Sequence, residues 1–225
     1  HYLVQPPEID RTMGEYLARN QVSQFACSET QKFGHVTYFW NGNLSGMFDE
    51  VYEEYVEIPS DSVPFEQRPW MKAAEITDAT LTALRRGGMR HGRINYANGD
   101  MVGHTGHLDA SVIAVEAVDL CLARIIPVIE KLDGALIVTA DHGNCDEMFE
   151  IDKKSGDFKR SSTGGLRSKT SHTLNAVPCY VYVPGSDTLR LNDRIAHPGI
   201  ANIAATAFQL MGYERPEGYE PSIVL

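Results

Sequence analysis

Five residues able to ligate a divalent cation fall in three short motifs. Asp100 and His104 lie in Asn98-Gly99-Asp100-Met101-Val102-Gly103-His104, Asp141 and His142 in Thr139-Ala140-Asp141-His142-Gly143-Asn144, and His172 in Ser171-His172-Thr173. Carboxylate oxygens and imidazole nitrogens without a thiolate suit manganese, cobalt, zinc or magnesium, and manganese is the best compromise for a mixed set. A carboxylate four residues before an imidazole can point at one ion from a helix or a tight loop, and Gly99 and Gly103 would allow the loop. Asp141 and His142 would face opposite sides of a continuing strand, so Gly143 is expected to turn both toward one centre. Any one of these residues alone would read as ordinary polar surface, with Asp141 capping a turn. Together they form an inventory for two metals.

The elements that must carry them are read from hydrophobic pattern. Ala135 to Ala140 reads as a fully buried strand that delivers Asp141 and His142 at its C-terminal end, where open α/β sheets place chemistry. Glu8 to Asn20 has helical spacing, and Val22 to Ser28 reads as a strand. Glu29 to Gly34 reads as a polar loop and His35 to Trp40 as a second, aromatic strand. Tyr52 to Pro59 is a short strand, and the pattern from Pro69 to Leu84 is a helix stopped by Gly87-Gly88. Arg93 to Tyr96 is a strand leading into Asp100. His107 to Leu132 is the longest helical pattern, with Val112, Val115, Val118, Leu122 and Ile125 as its expected buried stripe and Pro127 as a kink or division. Glu147 to Lys169 reads as a mobile surface excursion, Val177 to Val183 as a strand and Ile200 to Met211 as a final amphipathic helix. Strands alternating with helices predict the α/β class: a largely parallel sheet with helices on both faces, in one domain.

Composition narrows the function. The chain has 225 residues, 43% of them hydrophobic, and a formal charge of -10. That acidity argues against a nucleic-acid partner, which needs a basic surface to neutralise phosphates, and it fits a protein that holds cations. No apolar run is long enough to span a membrane, and the first residues lack the pattern of a signal peptide. Cys27, Cys121, Cys145 and Cys179 are widely spaced, the first two and Cys179 in apolar runs as expected core residues. Reduced thiols point to the cytoplasm. The absence of an initiator Met suggests a fragment of something longer.

These three motifs, with Ser28-Glu29-Thr30-Gln31-Lys32-Phe33-Gly34-His35-Val36-Thr37 upstream, closely resemble the cofactor-independent phosphoglycerate mutases of the alkaline phosphatase superfamily. The resemblance extends over nearly the whole chain. It implies an alkaline-phosphatase-like fold and a glycolytic isomerase that interconverts 3-phosphoglycerate and 2-phosphoglycerate through a phosphoserine intermediate. Two divalent ions, usually manganese, would serve it, without 2,3-bisphosphoglycerate. Asp100, His104 and His172 match the ligands of one ion, Asp141 and His142 part of the other's shell, and Lys32 the lysine that stabilises the transferring phosphoryl group. Such a transfer needs neutralised non-bridging oxygens and a deprotonated nucleophile, both of which a metal pair supplies. Lys32 on its own would read as an ordinary solvated loop lysine.

The family's nucleophilic Ser, a further metal-binding Asp and the inserted transferase domain have no match here. Residues 1–225 are therefore expected to be the C-terminal portion of a phosphatase domain, completed by the remainder of the same enzyme, and the family expectation is a monomer. Two rivals within enzymes share the ligands, a metal-dependent phosphomonoesterase and another mutase of the superfamily; a third rival is a non-catalytic metal-binding module. Of the remaining histidines, His35 is expected to open a strand, His91 to sit in a basic turn, His197 in a surface loop and His107 at a helix start. Asp109, Asp146 and Glu147 are candidates to orient ligand imidazoles.

Overall fold

A computed structural model describes residues 9–225. Glu8, the expected first residue of the opening helix, lies outside them. Two compact units divide the described residues, one of residues 9–125 with 143–174 and the other of residues 126–142 with 175–225.

The first unit is built on a parallel sheet. Its central strand β1 (Gln24–Glu29) is buried along its whole length. It is flanked by β2 (Glu53–Ile58) and β3 (His91–Asn95), both parallel to it, in the order β2-β1-β3. Side chains alternate across a strand, and each face here has its own cover. Phe25 and Cys27 pack with Ile76 and Ala83 of α3 (Ala73–Arg86) on one face. On the other, Gln24 donates to the Gly14 carbonyl of α1 (Met13–Arg19) at 3.0 Å, and Arg93 donates to the Val36 carbonyl at 2.7 Å. Arg93 is sandwiched there, its guanidinium carbon 5.1 Å from the Trp40 ring centre and 5.2 Å from that of Tyr55. The α/β reading with helices on both faces of a parallel sheet therefore holds for this unit.

The segment expected as a loop and a second strand is different. Thr30–Val36 is a helix, α2, and residues 37–42 are turns. A strand whose sequence neighbour in the sheet lies parallel to it must leave the sheet and cross over before returning. Residues 30–52 make that crossover from β1 to β2, so topology overrides the β-propensity of Val36, Tyr38, Phe39 and Trp40. Lys32 is consequently a helical residue, 8% exposed.

Downstream, α4 (Asn98–Gly103) follows β3 after two residues, and α5 (Leu108–Lys131) runs undivided through Pro127. The buried face of α5 keeps only Ile125 of the expected stripe as a buried residue. Ala110, Ala114, Cys121, Ile125 and Ile129 are buried, whereas Val112 and Val115 are about half exposed. A helix apolar on several sides offers more than one stripe of helical period, and here small residues let it approach Ala97, Val102 and Met71 closely. Residues 147–169 are largely exposed, as expected of a surface excursion, and form an antiparallel ribbon bridged at Phe149 with Ser168, Ile151 with Phe158 and Arg160 with Leu166. Glu150 pairs with both Lys159 and Arg167, and Glu147 with Lys169, across it.

In the second unit β4 (Leu136–Thr139) pairs antiparallel with β5 (Cys179–Tyr182). Three of the four β4 residues are partly exposed and Thr139 is exposed, so the expected fully buried strand is not found among the described residues. An apolar run sets that a strand forms but not how many neighbours cover it. Cys179, expected in the core, is exposed for the same reason. The closing helix α6 (Ile203–Leu210) buries Ala205, Thr206 and Phe208.

Candidate metal centre

In a parallel sheet the carboxyl ends of neighbouring strands lie side by side, so the segments leaving β1 and β3 meet at one edge. Helix α2 starts directly after β1 and places Lys32 in its first turn; α4 starts after β3 and places Asp100 in its first turn. Asn98 is fully buried and donates to the Pro69 carbonyl at 3.0 Å, which pins the start of α4. The His104 amide closes the helical turn on the Asp100 carbonyl at 3.0 Å, so the spacing of four residues is read out as one helical face.

Three donor atoms converge there. His172 Nε2 lies 2.9 Å and His104 Nε2 3.1 Å from Asp100 Oδ1, and the two Nε2 atoms are 3.1 Å apart. The carbonyl of Thr170 lies 2.7 Å from His104 Nδ1. A carbonyl only accepts, so Nδ1 carries the proton and Nε2 presents a lone pair to the cluster. Two imidazole nitrogens and a carboxylate oxygen so arranged need a shared proton or a shared cation. For a metal–ligand bond of about 2.1 Å, adjacent ligands are about 3.0 Å apart in an octahedron and about 3.4 Å in a tetrahedron, so these three edges match an octahedral face. Asp100, His104 and His172 can therefore hold a divalent ion. The carboxylate is largely buried, 13% exposed at its side chain, while both imidazoles remain more than a third exposed.

Asp100 is also held by cations and donors on its other side. Burial pushes its carboxyl up, but the ammonium of Lys32 on Oδ2 and the amide of Asn144 outweigh it and hold the group down at about 2. At the end of β1, Glu29 shows the opposite balance. It is 1% exposed, and burial raises its carboxyl despite a bond from Ser60 Oγ at 2.8 Å and the nearby Lys72.

Of the other expected residues, Asp141 and His142 lie together after β4, His142 Nε2 being 3.7 Å from Asp141 Oδ1. Among the candidate orienting groups, Asp146 accepts from Thr173 Oγ1 at 2.9 and 3.1 Å, beside His172, whereas Glu147 pairs with Lys169 in the ribbon. His91 is a strand residue stacked on Trp40, and burial pushes its imidazole down to about 3. His35 lies within α2, with its ring against Phe39.

The glycines act differently from expectation. Neither Gly103 nor Gly143 has a positive φ. A Cβ on Gly103 would come within 2.5 Å of Asn144 Oδ1, and one on Gly143 within 2.2 Å of Thr173 Oγ1. Both make room for neighbours instead of making turns. Asn144 and the Thr170 carbonyl are participants that sequence reasoning did not single out. Asn144 stood within one of the three motifs, but a backbone carbonyl 66 residues from its histidine leaves no signal in side-chain types.

Similarity to known proteins agrees with this chemistry. The chain is 54% identical over 223 residues to the "Probable 2,3-bisphosphoglycerate-independent phosphoglycerate mutase" of Leptospira interrogans serovar Lai, covering 99% of this chain and 40% of that protein. It is 52% identical over 225 residues to 2,3-bisphosphoglycerate-independent phosphoglycerate mutase 1 of Arabidopsis thaliana, with 99% and 40% covered. A crystal structure of Leishmania mexicana phosphoglycerate mutase at low cobalt concentration superposes with a TM-score of 0.96 at 48% identity, covering all of this chain and 41% of that one. The chain thus spans about 40% of the length of the curated relatives it matches. The model of the Metalloenzyme superfamily matches residues 3–215, and the chain belongs to that superfamily.

Proposed function

We propose that this chain is the C-terminal portion of the phosphatase domain of a cofactor-independent phosphoglycerate mutase, interconverting 3-phosphoglycerate and 2-phosphoglycerate. The observation that carries the reading is the convergence of Asp100, His104 and His172 on one point with Lys32 against the same carboxylate. Identity of about half the residues to proteins of that name, over 99% of the chain, supports it.

In this reading Asp100, His104 and His172 hold one ion, and the resemblance assigns Asp141 and His142 to a second. Bound metal would supply a Lewis acid to neutralise phosphoryl oxygens and lower the pKa of a serine hydroxyl. That serine belongs to the remainder of the same enzyme, as do the groups that hold the glycerate. Lys32 pairs with Asp100 here, and its ammonium is the donor on hand for a non-bridging oxygen as charge develops. The Thr170 carbonyl keeps His104 in the tautomer that ligates. An octahedral face of mixed oxygen and nitrogen donors favours manganese, with cobalt or magnesium next and zinc last. All four cysteines are free thiols, which supports a reducing, cytoplasmic setting. No described helix is long and apolar enough to cross a membrane. The family expectation of a monomer completes the reading.

The test is a mutase assay of the intact protein in manganese buffer without 2,3-bisphosphoglycerate, before and after chelation. Chelation-sensitive formation of 2-phosphoglycerate is expected. Activity indifferent to chelation would overturn the reading, and release of inorganic phosphate without 2-phosphoglycerate would replace it with a phosphomonoesterase.

A further inference from the structure

Asn144 is 5% exposed and its amide does one identifiable job. Nδ2 lies 2.8 Å from Asp100 Oδ1 and 3.1 Å from the Asp100 main-chain carbonyl, so its two N–H groups tie the carboxylate to its own backbone. The opposite amide orientation would set Oδ1 against two acceptors, which fixes the assignment. Among the described residues Oδ1 itself is buried without a partner, and it occupies the space that a side chain at position 103 would need. A buried unpaired carbonyl costs free energy, so the arrangement is held by what Nδ2 does.

From these contacts we propose that Asn144 is a positioning residue for the metal centre. It fixes the Asp100 carboxylate so that Oδ1 faces the two imidazoles, and Gly103 is glycine because Asn144 packs there. The physical need comes from Lys32. Its ammonium pulls on Oδ2 from the other side, and a carboxylate free to rotate would follow that charge and leave the imidazoles. Asn144 opposes that rotation at Oδ1, the oxygen nearest both Nε2 atoms. The inference rests on the metal reading of the site and adds to it a residue that acts through Asp100.

The test measures manganese binding by calorimetry, and separately the unfolding temperature of the metal-free form, in the intact protein. Asn144→Leu keeps the shape and removes the donor. It is expected to raise the manganese dissociation constant about 10- to 100-fold, as loss of a group that orients a ligand does. Gly103→Ala reaches the same contact from the opposite side and is expected to weaken binding similarly, while in the Gly103→Ala/Asn144→Leu protein the second change adds less than it does alone. Asn144→Leu binding manganese like the parent, with only its metal-free unfolding temperature lowered, would make Asn144 a packing residue and overturn the proposal. So would a Gly103→Ala protein of unchanged affinity. A parent protein that binds no manganese would instead overturn the metal reading on which the inference rests.

Discussion

Two carboxylates end neighbouring strands of one sheet and are poised in opposite senses. Asp100, just past β3, is held down at about 2, while Glu29, the last residue of β1, is pushed up. Both are buried, so burial alone does not separate them. What differs is the company each keeps. Asp100 has an ammonium, an amide and imidazole against its two oxygens, whereas Glu29 has a hydroxyl at 2.8 Å, a backbone amide at 3.4 Å, and the Lys72 charge nearby but offset by Asp61. The sheet edge supplies a place for an acid, and the neighbours decide whether it stands as a charge ready for a cation.

The largest break in that contrast is Asp100→Asn. It removes the only carboxylate of the trio and should lower mutase turnover of the intact protein by at least about 10²-fold and abolish measurable manganese binding at that face. Retained turnover would show the trio to be incidental. Next comes Lys32→Ala, expected to cost about 10²- to 10³-fold in turnover while leaving manganese content near that of the parent, since it removes a cation that competes for Asp100. Equal loss of turnover and metal would deny Lys32 its role at the phosphoryl group.

Acid sharpens the same contrast in the metal-free protein. Asp100 has a depressed carboxyl, so its stabilising contribution is present above the ordinary carboxylate range and is lost as pH falls toward about 2. The denaturation midpoint of Asp100→Asn should therefore approach that of the parent as pH falls through that window. Glu29 has the opposite sign, because its folded form binds a proton more tightly than the unfolded chain. Its cost is absent at low pH and sets in as pH rises through the ordinary carboxylate range to the raised value. Glu29→Gln is thus expected to gain about 1–3 °C in unfolding temperature at pH 7, and nothing near pH 4. The gain is the smallest effect expected, since the amide nitrogen would meet the Lys72 backbone N–H. A loss at pH 7 would mean that Glu29 stands charged and paired.

The candidate ligand types and their spacing were legible because a helix converts a separation of four residues into one face, and placing Asp100 beside His104 needed nothing more. Strand β1, β3 and the long helix were equally plain from pattern. Other features were not. The aromatic run from His35 to Trp40 has strand chemistry, yet the need to cross from β1 to its parallel neighbour made Thr30–Val36 a helix and set Lys32 within reach of Asp100. The apolar run before Asp141 foretold a strand but not its antiparallel pairing with β5 or its exposure.

By itself, then, the sequence determined the candidate donor set, the α/β class and the elements that bear most of the candidate ligands, because these depend on residue type and on separations of a few positions. Only the tertiary structure decided that His172 comes to Asp100 across 72 residues, that a carbonyl selects the tautomer of His104, and that Gly103 and Gly143 clear space instead of turning the chain. Such contacts are set by the packing of distant segments, and no local period or propensity encodes which backbone carbonyl or amide will lie against a given side chain.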